Sequence, residues 1–339
     1  MTAAWFAALL CVGAMGFAIQ RGGTCMVAAV DEVLNARRAH RLAAMLEASL
    51  WVAGGLALAQ LMHLAGSMPA GFAPSAWTVL GGALLGLGAW VNQACVFGAI
   101  ARLGSGDWAY AATPLGFYAG CLSAQPLFTR PAAQALTHAS PVAAGVLGPL
   151  FIGYVCWRLW PGLIALREPG RLGTLARKVW SPHAATIVIG ASFVVTLLLA
   201  GKWAYTDVLA DLARMAGGAR TGLGLLPLLL LIALYFGALL GGLTAGRWRS
   251  AWPIATQLLR CFSGGVLMGW GSLLIPGSND GLILIGIPTL RPYAWLGFAT
   301  MFLVIALAML VQARWRRWRV PLGPPVGRAR GAEAGHKQS

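Results

Sequence analysis

The chain has 339 residues, of which 58% are hydrophobic and only 10% are charged, and its formal net charge is +16. Soluble globular domains carry about 25% charged residues, so this composition argues against a soluble protein and indicates a chain that faces lipid. The positive charge needs no nucleic-acid partner. Lys and Arg collect on the cytoplasmic side of membrane proteins, where they face anionic headgroups.

Nine apolar stretches are long enough to cross the hydrocarbon core, which takes roughly 20 residues per helix. They lie at about 3–19, 42–65, 77–100, 108–128, 140–166, 184–204, 222–245, 257–287 and 292–312. The sequence therefore predicts an all-α polytopic membrane protein with about nine transmembrane helices. The first stretch lacks a basic leading region and a clear cleavage site, so we expect it to be a retained span.

Lys and Arg are distributed unevenly between alternate connections of these spans. If the N-terminus lies outside, 17 of them fall on the cytoplasmic side and five on the opposite side. Positively charged connections stay in the cytoplasm. The sequence thus predicts a multi-pass protein of the bacterial inner membrane, with its N-terminus outside and its C-terminus in the cytoplasm.

Two glycine-rich segments form an internal repeat. Residues 81–98 read GGALLGLGAWVNQACVFG and residues 264–281 read GGVLMGWGSLLIPGSNDG, and five glycines align at an offset of 183 residues. The segments lie in the third and eighth spans and therefore cross the bilayer in opposite directions, which predicts two inverted-topology repeats with broken helices. The predicted units are residues 1–139 (first repeat), 140–180 (fifth span and cytoplasmic loop), 181–312 (second repeat) and 313–339 (disordered basic cytoplasmic tail).

Polar residues interrupt both copies of the repeat and also the end of the first span. The three breaks read QRGGTCM at 20–26, VNQAC at 91–95 and PGSND at 276–280. In the third break, Pro276 removes a helix hydrogen bond and Gly277 relaxes the chain. Interrupted helices at membrane depth line cavities, and their free N–H groups suit an anion. The breaks therefore predict a path for a small oxyanion.

The residues after each break suit the start of a new helix. Thr24 is expected to cap the helix that follows the first break, and Ser278, Asn279 and Asp280 suit the start of a short helix after the third. Asp280 has a second interpretation as a proton or coupling-ion site, because acidic residues at membrane depth are rare.

These three stretches resemble the YeeE/YedE family of sulfur-compound transporters, whose better understood members import thiosulfate. The likeness covers GFAIQRGGTCM at 16–26, GGALLGLGAWVNQACVFGAIARLGSGDW at 81–108 and GGVLMGWGSLLIPGSNDGLILIGI at 264–287. In the family each break presents a cysteine, which the resemblance places at Cys25 and Cys95. The third position is Ser278, whose hydroxyl is a harder partner than a thiol. A different sulfur or selenium species is therefore an open alternative.

The candidate path comprises Cys25, Cys95 and Ser278, with Asn279, Thr24, Arg21, Asn92 and Asp280 as further members. Arg21 is interpreted either as an attractor of anions or as a side chain that snorkels to an interface. The other four cysteines are expected to be small packing residues. Cys and His spacings typical of a metal site and a Walker loop are not found in the sequence, so we expect neither a metal nor a cofactor.

The leading hypothesis is a transporter, not an enzyme, that imports thiosulfate or a related small sulfur anion. The resemblance also implies a separate cytosolic sulfur-carrier protein as partner. One alternative is a membrane sulfurtransferase that carries persulfide on Cys25 or Cys95, which requires a lowered thiol pKa beside a cation or a helix N-terminus, with Arg21 near Cys25 as the candidate cation. Another is a membrane scaffold with no substrate, but that does not explain the paired polar breaks.

The predicted topology is testable with reporter fusions. A fusion after Arg38 should report the cytoplasm, and a fusion after Pro74 should report the external side, because the second span separates them. Two fusions that report the same compartment would contradict the inverted-repeat prediction.

Overall fold

The computed structural model describes residues 2–64, 71–125, 128, 141–166, 179–219, 222–246, 248–275 and 278–319. Pro276 and Gly277 of the third break lie outside these residues, as do residues 320–339 of the predicted tail. The last helix extends to Arg319, beyond the predicted start of the tail at residue 313.

The described chain is mostly α-helical, and no β-strand is found in it. The helices are α1 (Thr2–Gly22), α2 (Met26–Asp31), α3 (His40–Leu61), α4 (Ala76–Asn92), α5 (Val96–Gly104), α6 (Ala112–Ala124), α7 (Pro141–Leu166), α8 (Pro182–Ala200), α9 (Tyr205–Ala216), α10 (Leu225–Thr244), α11 (Ala255–Leu274), α12 (Ser278–Gly281) and α13 (Pro292–Arg319). Helices α2 and α12 continue as π-helical turns, at Glu32–Ala36 and Leu282–Gly286.

The predicted class, an all-α polytopic membrane protein, is confirmed, whereas the count of nine spans is not. Six segments of the described chain are long and apolar enough to cross a membrane, or seven if α11 and the bent segment after it form one span. The predicted span 108–128 does not meet this criterion, because helix α6 has only 13 residues. Helix α7 extends from Pro141 to Leu166, and its part with described side chains, Gly145–Trp160, is apolar but too short to be counted. Large apolar side chains such as Leu150 are exposed, as on a lipid-facing surface.

The two glycine-rich helices of the repeat, α4 and α11, pack directly against each other. A Cβ added to Gly88 would lie 2.7 Å from the Gly264 carbonyl oxygen, and one added to Gly264 would lie 2.7 Å from the Gly88 carbonyl oxygen. Gly81 and Gly271 make the same mutual contact, at 2.9 and 2.7 Å. The order of these contacts shows that the helices are antiparallel. Because glycine has no Cβ, the two backbones touch.

The offset of 183 residues relates Gly81 to Gly264 and Gly88 to Gly271. It therefore relates the contact between Gly81 and Gly271 to the contact between Gly264 and Gly88. The outer neighbours follow the same rule. Helix α13 packs on α4, where Gly82 faces the Gly297 carbonyl group, and α6 packs on α11, where Gly265 faces the Thr113 carbonyl group. Such reciprocity is the contact pattern that a pseudo-twofold axis between inverted repeats produces.

A fourth helix break separates α8 from α9, and it was not predicted. Residues 201–204 stand between α8 and α9 as residues 23–25 stand between α1 and α2. Both connections contain a glycine with a positive φ angle, 58° at Gly23 and 79° at Gly201. Residues that have a Cβ rarely adopt this backbone conformation. Helix α1 packs on α8 and α10, and α3 packs on α8. Helices α8 to α10 therefore correspond to α1 to α3.

Helix α7 joins the two halves and is tied to them through Glu47 of α3. The Glu47 carboxylate accepts hydrogen bonds from Tyr154 Oη at 2.9 Å and Arg158 Nε at 2.8 Å, both on α7. Its other oxygen contacts His183 at the start of α8. This polar cluster attaches a helix whose other side chains, within the described part at 145–160, are mostly exposed.

The glycine contact between α4 and α11 predicts a stability effect. Gly88→Ala should lower the thermal unfolding midpoint of the detergent-purified protein, because the methyl group meets backbone atoms that have no alternative rotamer, and overpacking typically costs about 1–3 kcal/mol. The matched control is Gly153→Ala on α7, where an added Cβ meets no atom within 4 Å among the described residues. Equal midpoints for both variants would contradict the close packing.

Candidate functional site

Two of the predicted breaks bring Cys25 and Cys95 together. Cys25 precedes α2 and Cys95 precedes α5, and both have extended backbone conformations at these helix starts. The Met26 backbone N–H, directly after Cys25, donates a hydrogen bond to Cys95 Sγ at 3.2 Å. A Cβ added to Gly98 would lie 2.5 Å from Cys25 Sγ. The glycine at position 98 therefore leaves the room that the Cys25 thiol occupies.

A cavity of about 410 Å³ leads from the protein surface to Cys25. Exposed residues at its outer part include Asp31, Gln93 and Arg102, and Arg41 forms another part of its wall. Cys25 retains 9% of its surface exposure, whereas Cys95 has 0%. The Cys25 thiol therefore lies at the inner end of the cavity, and the Cys95 thiol lies behind it.

The third break places Ser278 and Asn279 in the interior with free hydrogen-bonding groups. Ser278 is 1% exposed and Asn279 is 0% exposed. Ser278 Oγ and both polar atoms of the Asn279 amide have no hydrogen-bond partner among the described residues. Ser278 also has a positive φ angle of 47°, which is uncommon for a residue with a Cβ and is typical of functional sites. The predicted short helix does begin at Ser278.

Asp280 caps a helix, but not the one that contains it. Its carboxylate accepts a hydrogen bond from Thr206 Oγ1 at 2.6 Å and lies 3.5 Å from the Thr206 backbone nitrogen, in the first turn of α9. It also accepts from the Gly281 backbone N–H at 3.1 Å. The fourth break thus contributes Thr206 and its neighbour Tyr205, which sequence reasoning missed. The available signal was Gly201 followed by Lys202 at the end of an apolar span; the first break likewise combines glycine with a basic residue.

The remaining predicted site residues have different surroundings. The prediction that Thr24 caps α2 is wrong, because Cys25 occupies the cap position and Thr24 Oγ1 has no partner among the described residues. Arg21 donates a hydrogen bond to Thr244 Oγ1 on α10 at 2.8 Å and lies over the Phe17 ring. Asn92 supports its own break, since it donates to the Ala94 carbonyl group and accepts from Thr113.

The other cysteines lie away from these contacts. Cys121 interacts with the Gly269 carbonyl oxygen and the Ser272 hydroxyl, each at 3.6 Å, and Cys261 is fully buried in α11. Cys156 is exposed on α7, and Cys11 is partly buried on α1.

Comparison with known proteins identifies relatives in sulfur transport. A model of the family described as "Sulphur transport" matches residues 21–307. The thiosulfate transporter TsuA of Escherichia coli (strain K12) is 24% identical over 353 residues, which covers 91% of this chain and 95% of that protein. The family resemblance of the three breaks is thereby confirmed.

The geometry predicts an order of thiol reactivity. A small charged methanethiosulfonate reagent, which does not partition into lipid, should modify Cys25 several-fold faster than Cys95, because only Cys25 borders the cavity. Mass spectrometry of the peptides measures both rates, with the packed Cys121 and Cys261 as unreactive controls. Equal rates at Cys25 and Cys95, or modification of Cys121 before Cys25, would contradict the assigned cavity.

Proposed function

Because the chain is a multi-pass membrane protein that belongs to the sulphur transport family, we propose that it imports thiosulfate or a related small sulfur anion through a path lined by Cys25, Cys95 and Ser278. One observation carries the proposal. The Cys25 thiol lies at the inner end of a cavity of about 410 Å³, and the Cys95 sulfur lies behind it, where it accepts a hydrogen bond from the residue that follows Cys25. The related thiosulfate transporter supports the same class of substrate.

The chemistry of the candidate path matches both ends of thiosulfate. Its terminal sulfur is soft and polarizable, like the sulfur atoms of Cys25 and Cys95. Its oxygens require hydrogen-bond donors, which Thr24, Ser278 and Asn279 supply from buried positions that have no partner among the described residues. A buried polar group without a partner costs roughly 1–3 kcal/mol. A passing oxyanion relieves that cost and is thereby favoured over an apolar solute.

The proposed direction of transport is inward. The excess of Lys and Arg on one side favours an external N-terminus and a cytoplasmic C-terminus in a bacterial inner membrane. The cavity that contains Arg41 and Arg102 is then the cytoplasmic vestibule, where two cations attract the anion as it leaves the path. The sequence has no nucleotide-binding motif, so a gradient or consumption of the imported anion supplies the energy. A separate cytosolic sulfur-carrier protein is the partner that we propose for this consumption.

The family match and the related thiosulfate transporter favour transport over the alternative of a membrane sulfurtransferase. That alternative requires a lowered thiol pKa beside a cation or a helix N-terminus, and Arg21 was the candidate cation. Arg21 instead donates to Thr244 on α10 and lies over Phe17. The hydrogen-bond donor at Cys95 Sγ is the backbone N–H of Met26, which orients the sulfur without supplying a net charge.

Uptake of radiolabelled thiosulfate into proteoliposomes tests the proposal. Wild type should accumulate label, and Cys25→Ala or Cys95→Ala should reduce uptake at least tenfold, because each removes a soft contact from the proposed path. The matched controls Cys11→Ala and Cys156→Ala should transport normally, since both cysteines lie away from the breaks. Uptake must be normalised to folded protein by size-exclusion chromatography. Wild type without uptake, or equal tolerance at all four cysteines, would overturn the proposal.

The role of Ser278 is tested by two substitutions that differ in hydrogen bonding. Ser278→Cys restores the family pattern and should preserve or raise thiosulfate uptake. Ser278→Val removes the proposed hydrogen bond between the Ser278 hydroxyl and the substrate. The cost is about 1–3 kcal/mol, which corresponds to roughly a 5- to 150-fold loss of apparent affinity. Concentration-dependent uptake measures both. If Ser278→Val matches wild type, Ser278 does not contact the substrate, and the amide of Asn279 is the next candidate.

A further inference from the structure

The start of α9 contacts two of the helix breaks at once. Tyr205 Oη donates a hydrogen bond to the Val96 carbonyl oxygen at 3.3 Å, directly after Cys95. Thr206 Oγ1 donates to Asp280 Oδ1 at 2.6 Å, two residues after Ser278. Both tyrosine and threonine are almost fully buried. Two adjacent residues therefore link the break of the first repeat to the break of the second.

The packing around these hydrogen bonds leaves little freedom. Phe97, Tyr205 and Asp280 surround a void of only about 10 Å³, which is close to the size needed for one water molecule. The Tyr205 ring also packs edge-to-face on Tyr235 of α10, with centroids 6.2 Å apart. Buried hydrogen bonds in such surroundings fix the groups that they join. The separation between the Cys95 and Ser278 backbones thus depends on α9.

The repeat gives this arrangement a counterpart on the other side of the molecule. Helix α2 follows α1, and its first N–H, at Met26, donates to Cys95 Sγ. Helix α9 follows α8, and its second residue, Thr206, donates to Asp280. Each half therefore uses the helix after its first break to hold its second break. The Tyr205 hydroxyl adds a bond from the second half to the first.

We propose that Tyr205 and Thr206 are positioning residues that set the distance between the soft contact at Cys95 and the hydrogen-bonding contact at Ser278, and so determine which sulfur or selenium anion fits the path. This inference deepens the proposed transport function. A substrate with a chalcogen atom at one end and oxygens at the other must satisfy both contacts together. A change in their separation alters the preference between anions of different length.

Thiosulfate and selenosulfate are suitable probes, because they differ in the terminal atom and in the length of its bond to sulfur. Concentration-dependent uptake of each anion gives two KM values for every variant. Thr206→Val should raise the KM for thiosulfate several-fold and change the ratio of the two KM values, whereas Thr206→Ser, which keeps the hydroxyl group, should restore both. The matched control is Thr196→Val, since Thr196 is equally buried but donates within its own helix, to the Ser192 carbonyl oxygen.

Tyr205→Phe tests the bond to the first repeat, and its control is Tyr154→Phe, which removes a hydroxyl that donates to Glu47 instead. Tyr205→Phe should change the KM ratio and speed modification of Cys95 by a methanethiosulfonate reagent. The reason is that the Val96 carbonyl group, directly after Cys95, loses its hydrogen bond from the Tyr205 hydroxyl. The modification rate is measured without transport. Wild type that takes up neither anion refutes the transport proposal. Wild type that transports, with Tyr205 and Thr206 variants unchanged in KM ratio and in Cys95 modification, refutes the positioning role.

Discussion

The rest of the structure depends on the contact between the backbones of α4 and α11. Apolar side chains provide little net drive for helices to associate in lipid, so association relies on close packing. Gly88 and Gly264 allow each helix to place a carbonyl group against the other. The same helices end at the breaks that carry Cys95 and Ser278. The glycine contact therefore fixes where both breaks lie, and any larger residue in it would separate them.

This arrangement explains how a membrane protein tolerates so many interrupted helices. Backbone groups that leave a helix inside a bilayer need partners from the protein or from a cavity. At the first two breaks the backbone N–H of Met26 donates a hydrogen bond to the Cys95 sulfur. At the other two, Asp280 accepts from the first turn of α9. From the buried polar groups that have no partner among the described residues, we assign those of Thr24, Ser278 and Asn279 to the substrate.

Much of this organisation could be predicted from the sequence, because glycine spacing and polar interruptions are local signals. The five aligned glycines predicted an antiparallel helix pair, and the polar residues around Cys25 and Cys95 marked their breaks. The break before Tyr205 was missed, since its only local signal was Gly201 beside Lys202 at the end of an apolar span. The partners of Asp280 and Arg21 were also out of reach. They lie on helices distant in sequence, at Thr206 and Thr244.

The central claim is that the Cys25 thiol at the inner end of the cavity and the Cys95 thiol behind it contact the chalcogen atom of the transported anion. The most direct measurement is a structure of the protein in lipid nanodiscs or crystals with selenosulfate bound, in which selenium replaces the terminal sulfur of thiosulfate and gives a distinct scattering signal. The account predicts selenium in van der Waals contact with Cys25 or Cys95 Sγ and the oxygens directed toward hydroxyl or amide donors. Selenium bound elsewhere, for example beside Glu47 of α3 and Tyr154 of α7, with density absent at both thiols, would contradict it.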